Sequence, residues 1–470
     1  MNDGAIAYRS TRGAAPHVDF EGALLAGLAR DGGLYVPVLW PQFDEATIRA
    51  LAGLSYEEIA CRVMAPFVRP VFDEADLAEL VQKAYAGFAS TERCPLVACG
   101  SRLFVLELHH GPTLAFKDFA LALVAWMFNA ILAARGENVV ILGATSGDTG
   151  SAAIDAFRGL SAVQVVILYP EGRVSDIQRR QMTTPPETNV HAVPVRGDFD
   201  DCQAIVKGLF NDLAFRDRHR LAAVNSINWA RIIAQMVYYF SAAVRLGAPD
   251  VQAEFVVPTG NFGDIYAGYA ARLCGLPMGG LHIATNQNDI LCRVFATGAY
   301  HPQPVSPSVS PSMDIQVSSN FERILFDACG QDGGRVRALM AGLANGGFTL
   351  DAAVLGHLQR EFEARSCSEE ETLAEIAATY RERGLMLCPH SAVGMHVARQ
   401  VEARVAGPVP VVTLATAHAG KFPEAVTRAC GQSPHIPARL QAVLTGVERQ
   451  EPCMAGQDDV HQFIDGLAQS

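Results

Sequence analysis

The sequence predicts an α/β protein whose parallel sheets are covered on both faces by helices, preceded by a mostly helical N-terminal unit. Three observations carry that reading. Short apolar, strand-like runs alternate with helical stretches beyond about residue 96, the pattern of parallel sheets with crossover helices. Two of the runs end in glycine-rich turns that open a helix. Residues 1–95 have helical patterning and no clear strand run.

The strand-like runs fall at residues 103–108, 139–142, 163–168, 190–195, 255–257, 282–284 and 411–414. Each is short, continuous and apolar, as expected of a strand buried on both faces. Helical patterns occupy the gaps, among them 204–214, 231–245 and 265–273. The most apolar run, 119–134, contains Asn129 and falls short of a membrane span, so a buried helix is expected. Residues 302–312 are rich in proline and serine and read as an ordered loop near a domain junction.

Composition bounds the function. A chain of 470 residues accommodates two or three domains. A net charge of −12 argues against a nucleic-acid partner but not against a small anion, which a few local cations suffice to hold. Eleven cysteines, with no Cys-x-x-Cys pair, suggest reduced thiols and a cytoplasmic protein without a metal site. Residues 1–19 lack the apolar core of a signal peptide, and no membrane partner is expected.

Three segments carry chemistry. The first contains Lys117, a lone cation among apolar neighbours, after a Gly111-Pro112 turn and at the start of a helical run. Burial disfavours the charged amine, which suits a Schiff-base nucleophile; a snorkelling structural lysine has the same local pattern. The second is the Gly143–Ala153 turn, where Thr145, Ser146, Asp148, Thr149 and Ser151 exceed what a helix cap requires. It is neither a Walker loop nor a dinucleotide fingerprint. The third, Pro258-Thr259-Gly260-Asn261-Phe262-Gly263-Asp264, again joins a strand to a helix, and its row of N–H groups suits a phosphate. The Asp264 carboxylate is expected to point away from that dianion and to cap the helix.

Taken in order, these segments resemble the threonine synthase family of fungi and many bacteria. Tyr8–Gly13, Asp31–Pro37, Asn225–Arg231 and Ala415–Phe422 extend the similarity over most of the chain. One departure is Ala419-Gly420, where the family usually has Pro-Ala, a change in loop stiffness.

The resemblance implies the fold-type-II architecture of pyridoxal-phosphate enzymes, two α/β lobes with the cofactor between them. It divides the chain into an N-terminal domain (1–95), a catalytic region (96–430) and a C-terminal tail (431–470). It implies an enzyme, a lyase that converts O-phospho-L-homoserine and water to L-threonine and phosphate. The alternatives are a phospholyase that releases 2-oxobutanoate, ammonia and phosphate, or a non-catalytic homologue that binds the cofactor. Lys117 is then the cofactor-bearing and catalytic amine. Gly260, Asn261, Phe262, Gly263 and Asp264 cradle the cofactor phosphate, and the Thr416 hydroxyl faces the ring nitrogen. Thr145, Ser146, Asp148 and Thr149 clamp the substrate carboxylate. Asn228 and Arg231, one helical turn apart, grip the substrate phosphate, with Lys421 as an alternative partner. A monomer or homodimer is expected.

Overall fold

Runs of valine, isoleucine and leucine build two separate sheets in the computed structural model, which describes residues 5–223 and 226–467. The larger sheet has six strands in the spatial order Phe362–Ser366, Leu281–Thr285, Glu254–Pro258, Val411–Ala415, Leu103–Glu107 and Leu96–Ala98. All neighbours are parallel except the last pair. The smaller sheet has four parallel strands in the order Val190–Val195, Val163–Pro170, Val139–Ala144 and Leu221–Ala222. Every residue of Val411–Ala415 and of Val190–Val195 is buried. Helices cover both faces, so these strands are continuously apolar and do not alternate.

All the expected strands are present, with ends shifted by no more than a residue or two. Three strands of these two sheets have no counterpart in the sequence reading. Leu221–Ala222 is too short to pattern, and Leu96–Ala98 and Phe362–Ser366 are sheet edges with half-exposed residues.

The N-terminal unit holds the helices Phe20–Ala26, Glu45–Arg49, Tyr56–Val68 and Glu74–Tyr85. It also contains a small antiparallel pair, Tyr8–Ser10 with Tyr35–Pro37, which the mostly helical expectation does not include. Ser55–Glu58 and Asp73–Asp76 form capping boxes that fix two of the helix starts. The unit packs against helix Lys117–Arg135: Phe119 meets the rings of Tyr56, Tyr85 and Phe88, and also that of Tyr238. That helix is long and apolar enough to cross a membrane by length and composition. Here it is enclosed by helices Glu74–Tyr85, Asp148–Phe157 and Trp229–Arg245 in the main core.

The segment expected as a C-terminal tail returns to the smaller sheet. Helix Ala438–Thr445 packs on helix Asp176–Thr183, Met454 bridges to Val195, and helix Gln457–Leu467 packs on helix Phe199–Asn211. Val460 and Ile464 are fully buried with Val193 and Leu209.

Candidate active site

Parallel sheets present ligands at the carboxyl ends of their strands, and both sheets contribute that end to one cavity. Its lining includes Lys117, Thr149, Arg231, the whole turn from Gly260 to Asp264, His390 and Thr416.

Lys117 is the first residue of its helix and only 9% exposed. The preceding turn is fixed by Asp118, whose carboxylate accepts hydrogen bonds from the Thr113 N–H at 2.8 Å and its hydroxyl at 2.6 Å. Gly111 is required there, because a Cβ would lie 2.4 Å from Asp118. Leu114–Phe116 is stitched to Thr416–His418: the Phe116 N–H donates to the Thr416 carbonyl at 2.8 Å, and the His418 N–H donates to the Leu114 carbonyl at 3.0 Å. This brings Lys117 and Thr416, distant in sequence, to one wall. Thr416 directly follows strand Val411–Ala415, and its N–H is accepted by the Ser391 hydroxyl at 3.0 Å.

Burial pulls the Lys117 amine below its ordinary pKa; Asp148 opposes this, while Lys421 and Arg231 push the same way as burial. Asp148 Oδ2 lies 3.7 Å from Lys117 Nζ, and its Oδ1 lies 2.6 Å from Lys421 Nζ. Gln178 donates to the same Oδ1 at 3.0 Å. Burial drives the Asp148 carboxyl up, but Lys421 and Lys117 together hold it well below the usual carboxylate range. Asp148 is therefore a partner of two lysines, and its negative charge disfavours a substrate carboxylate beside it. The remaining clamp residues separate as well. Thr145 Oγ1 accepts the N–H groups of Gly147 and Gly150, each at 2.9 Å, and so shapes the turn; Ser146 is exposed; Thr149 lines the cavity.

The Gly260–Asp264 turn follows strand Glu254–Pro258 and opens helix Gly263–Leu273. Phe262 adopts φ +63°, a left-handed conformation costly for a side-chain residue. Its ring is locked between Phe321 and Phe362. The N–H groups of Gly263 and Asp264 fall in the first helical turn, where a helix has no internal acceptor for them. Asp264 does not cap the helix as expected: its carboxyl accepts the hydroxyls of Tyr238 at 2.5 Å and Tyr239 at 3.0 Å.

Arg231 is 3% exposed, and its Nε and Nη1 have no hydrogen-bond partner among the described residues. A surface-helix arginine is thereby excluded. Asn228 is not its companion: it caps helix Trp229–Arg245, accepting the Ala230 N–H at 3.0 Å and donating to the Leu24 carbonyl at 2.8 Å. With both ends of its amide engaged, it does not line the cavity. Asn225 lies outside the described residues.

His390, Ser312 and Met313 are among the lining residues that sequence reasoning does not assign to the site. His390 stands in the first turn of helix Pro389–Arg404; its Nε2 accepts the Ser312 N–H at 3.1 Å, and its buried Nδ1 has no partner. Burial lowers its pKa to about 4, so the ring is neutral with its hydrogen on Nδ1. Ser312 and Met313 come from the Pro/Ser-rich segment, an ordered loop in which Asp314 is bound by Asn286, Asn288 and Ser308. Pro389 and Ser391 beside His390 mark a helix start, a signal available in the sequence. Nothing local ties Ser312 to the site. Gly420, where the chain departs from Pro-Ala, allows the His435 carbonyl to approach; a Cβ there would lie 2.9 Å from it.

Comparison with known proteins comes to the same place. The family model "Threonine synthase N terminus" matches residues 7–85, "Pyridoxal-phosphate dependent enzyme" residues 91–417, and "Threonine synthase, C-terminal" residues 391–464. Threonine synthase of Pseudomonas aeruginosa is 51% identical over 448 residues, covering 95% of this chain and 94% of that protein. The Saccharomyces cerevisiae enzyme is 41% identical over 462 residues, 91% of this chain and 90% of that one. Among solved structures, pyridoxal-phosphate-bound threonine synthase from Brucella melitensis superposes with a TM-score of 0.96 at 51% identity, covering 99% of this chain and 100% of that chain.

Proposed function

Because the chain belongs to the threonine synthase family, we propose that it converts O-phospho-L-homoserine and water to L-threonine and phosphate as a pyridoxal-phosphate-dependent lyase. One observation carries this reading: a single cavity holds a buried lysine with a depressed pKa, a glycine-rich helix start and a buried arginine with unpaired donors.

The residues fit the cofactor. Lys117 is the amine for its aldehyde. Gly260, Asn261, Phe262, Gly263 and Asp264 are the candidate cradle for its phosphate, and the Thr416 hydroxyl is the candidate partner for its ring nitrogen. Bound pyridoxal phosphate supplies an electron sink for the bonds broken at the substrate carbons. With its amine free, Lys117 would serve as a mobile base and acid for protons at Cα, Cβ and Cγ; its depressed pKa suits that work. Asp148 steadies this amine while it shares its charge with Lys421. Arg231 is the candidate partner for the departing phosphate, to which a guanidinium donates charge-assisted hydrogen bonds. Its unpaired Nε and Nη1 are already stripped of water.

The same reading sets the first domain boundary near residue 95, supported by family matches that end at 85 and resume at 91. Cytoplasmic residence belongs to it too, supported by seven buried cysteines with no disulfide partner.

Product analysis tests the reaction. Threonine and phosphate in equal amounts are expected; 2-oxobutanoate and ammonia in place of threonine would replace a synthase by a phospholyase. The cradle has its own test. A Cβ on Gly260 would lie 2.9 Å from the Ser312 carbonyl, whereas one on Gly263 meets the Asn320 side chain at 3.3 Å. Gly260→Ala must therefore displace the loop that closes over the turn, a strain of about 1–3 kcal/mol. Cofactor affinity, measured by equilibrium dialysis, is expected to fall about 5- to 150-fold, and Gly263→Ala to cost less.

A further inference from the structure

Asp264 poses a charge problem that the reaction does not use. Its Oδ1 accepts two tyrosine hydroxyls, Tyr238 at 2.5 Å and Tyr239 at 3.0 Å, and Tyr239 also reaches the Asp264 carbonyl oxygen at 3.0 Å. Its Oδ2 is buried and has no partner, and the residue lines the cavity at the first turn of helix Gly263–Leu273. No ion pair of the described residues includes it.

Apart from Arg231, whose guanidinium makes no ion pair among the described residues, the charged groups named below on the elements packed around this helix are engaged elsewhere. Arg323, on helix Phe321–Ala328, donates to the carbonyls of Tyr35 and Ile227 and to Asn320. Glu322 pairs with Arg12 at 2.9 Å, and Asp327 faces Gln331. On the strands, His282 pairs with Glu254 at 2.7 Å. Arg231 and the two tyrosines share helix Trp229–Arg245 with no ion pair to Asp264. An ionised Asp264 would thus be a buried anion without a cation, beside the place proposed for a phosphate dianion.

We propose that Asp264 is a neutral carboxylic acid when the cofactor is bound, and that its Oδ2–H donates a hydrogen bond to the cofactor phosphate. The inference rests on the reading of Gly260–Asp264 as the phosphate cradle. The Tyr238 hydroxyl donates to Oδ1, and the single Tyr239 hydrogen is shared between Oδ1 and the Asp264 carbonyl, so the proton resides on the unpartnered Oδ2. Burial pushes this carboxyl up to about 7 against the pull of the two tyrosines, and a neighbouring dianion pushes it further the same way. A carboxylic acid held neutral by an apolar site so that it can donate is a known arrangement in other enzymes.

Proton linkage provides the test. Above about pH 7 the unliganded site is ionised, so phosphate binding takes up a proton and affinity falls as pH rises. Pyridoxine 5′-phosphate, which lacks the aldehyde, is the probe, because its binding bypasses Lys117. With the full-length, cofactor-free protein, affinity is expected to fall about 10- to 100-fold between about pH 7.5 and about 9.5. In Asp264→Asn, which keeps an acceptor for the tyrosines and a permanent N–H donor, the decline is expected to become shallower, and binding at the upper pH to exceed that of the wild type. The 31P resonance of the bound ligand is expected to move in both Asp264→Asn and Gly260→Ala. A pH decline that persists unchanged in Asp264→Asn, with the resonance still shifted, overturns the proposal and leaves the cradle standing. A resonance unmoved by either substitution overturns the cradle itself. If asparagine is not tolerated, the wild type decides alone: affinity that does not fall across this range sinks the idea.

Discussion

Lys117→Ala is expected to abolish turnover, by at least about 10⁴-fold, the upper range of what one positioned acid–base group contributes. The loss has two sources, since the same amine holds the cofactor and moves the protons. Borohydride treatment of the wild type should fix the cofactor to the peptide that contains Lys117. The alanine variant should still bind cofactor through the Gly260–Asp264 turn, because that turn follows a different strand and does not depend on the amine. An adduct mapped to Lys421 would overturn the assignment, and Lys421 is the serious competitor: it is fully buried and lies 2.6 Å from Asp148.

Arg231 carries the second large effect. Truncating a desolvated charged partner costs about 2–5 kcal/mol, so Arg231→Ala is expected to lower kcat/KM for O-phospho-L-homoserine about 30- to 4,000-fold. Arg231→Lys keeps the charge without the planar fork and should fall between the two. The cofactor spectrum should be unchanged in both, and unphosphorylated amino acids should react as slowly as with the wild type. Arg231→Met adds a stability readout. The cofactor-free protein carries a buried guanidinium with two unpaired donors, and replacing such a charge by an apolar chain is often stabilising. The melting temperature of that variant is expected to rise while catalysis falls. Wild-type kcat/KM in Arg231→Ala would transfer the phosphate grip to another residue.

Local chemistry decided which of these features were legible in the sequence. The buried strands announced themselves because both faces are covered, so their apolar runs are unbroken. The glycine-rich turns and Lys117 stood out because their residue types are unusual for the positions they occupy. The partners of Asn228 and Asp148 are not legible, because spacing says which residues share a helix face but not what meets that face. Asn228 is met by the Leu24 carbonyl, and Asp148 by a lysine from the far end of the chain. His390 and Ser312 reach the cavity through tertiary contacts that no local pattern encodes. The Tyr238–Asp264–Tyr239 cluster joins two helices in the same way, so no local pattern shows that this carboxyl lacks a paired cation.

The return of the C-terminal segment to the smaller sheet has a consequence for how the molecule is made and dissected. Strands 139–222 emerge early from the ribosome, yet Met454, Val460 and Ile464, which complete their core, are translated long afterwards, once the larger lobe's last strand has passed. The nascent smaller lobe must wait with an uncovered flank, a setting in which partly folded chains are prone to aggregate. A fragment excised as 139–222 inherits the same bare flank and is expected to be insoluble. A version in which residues 436–467 are grafted back through a flexible linker should recover a folded lobe.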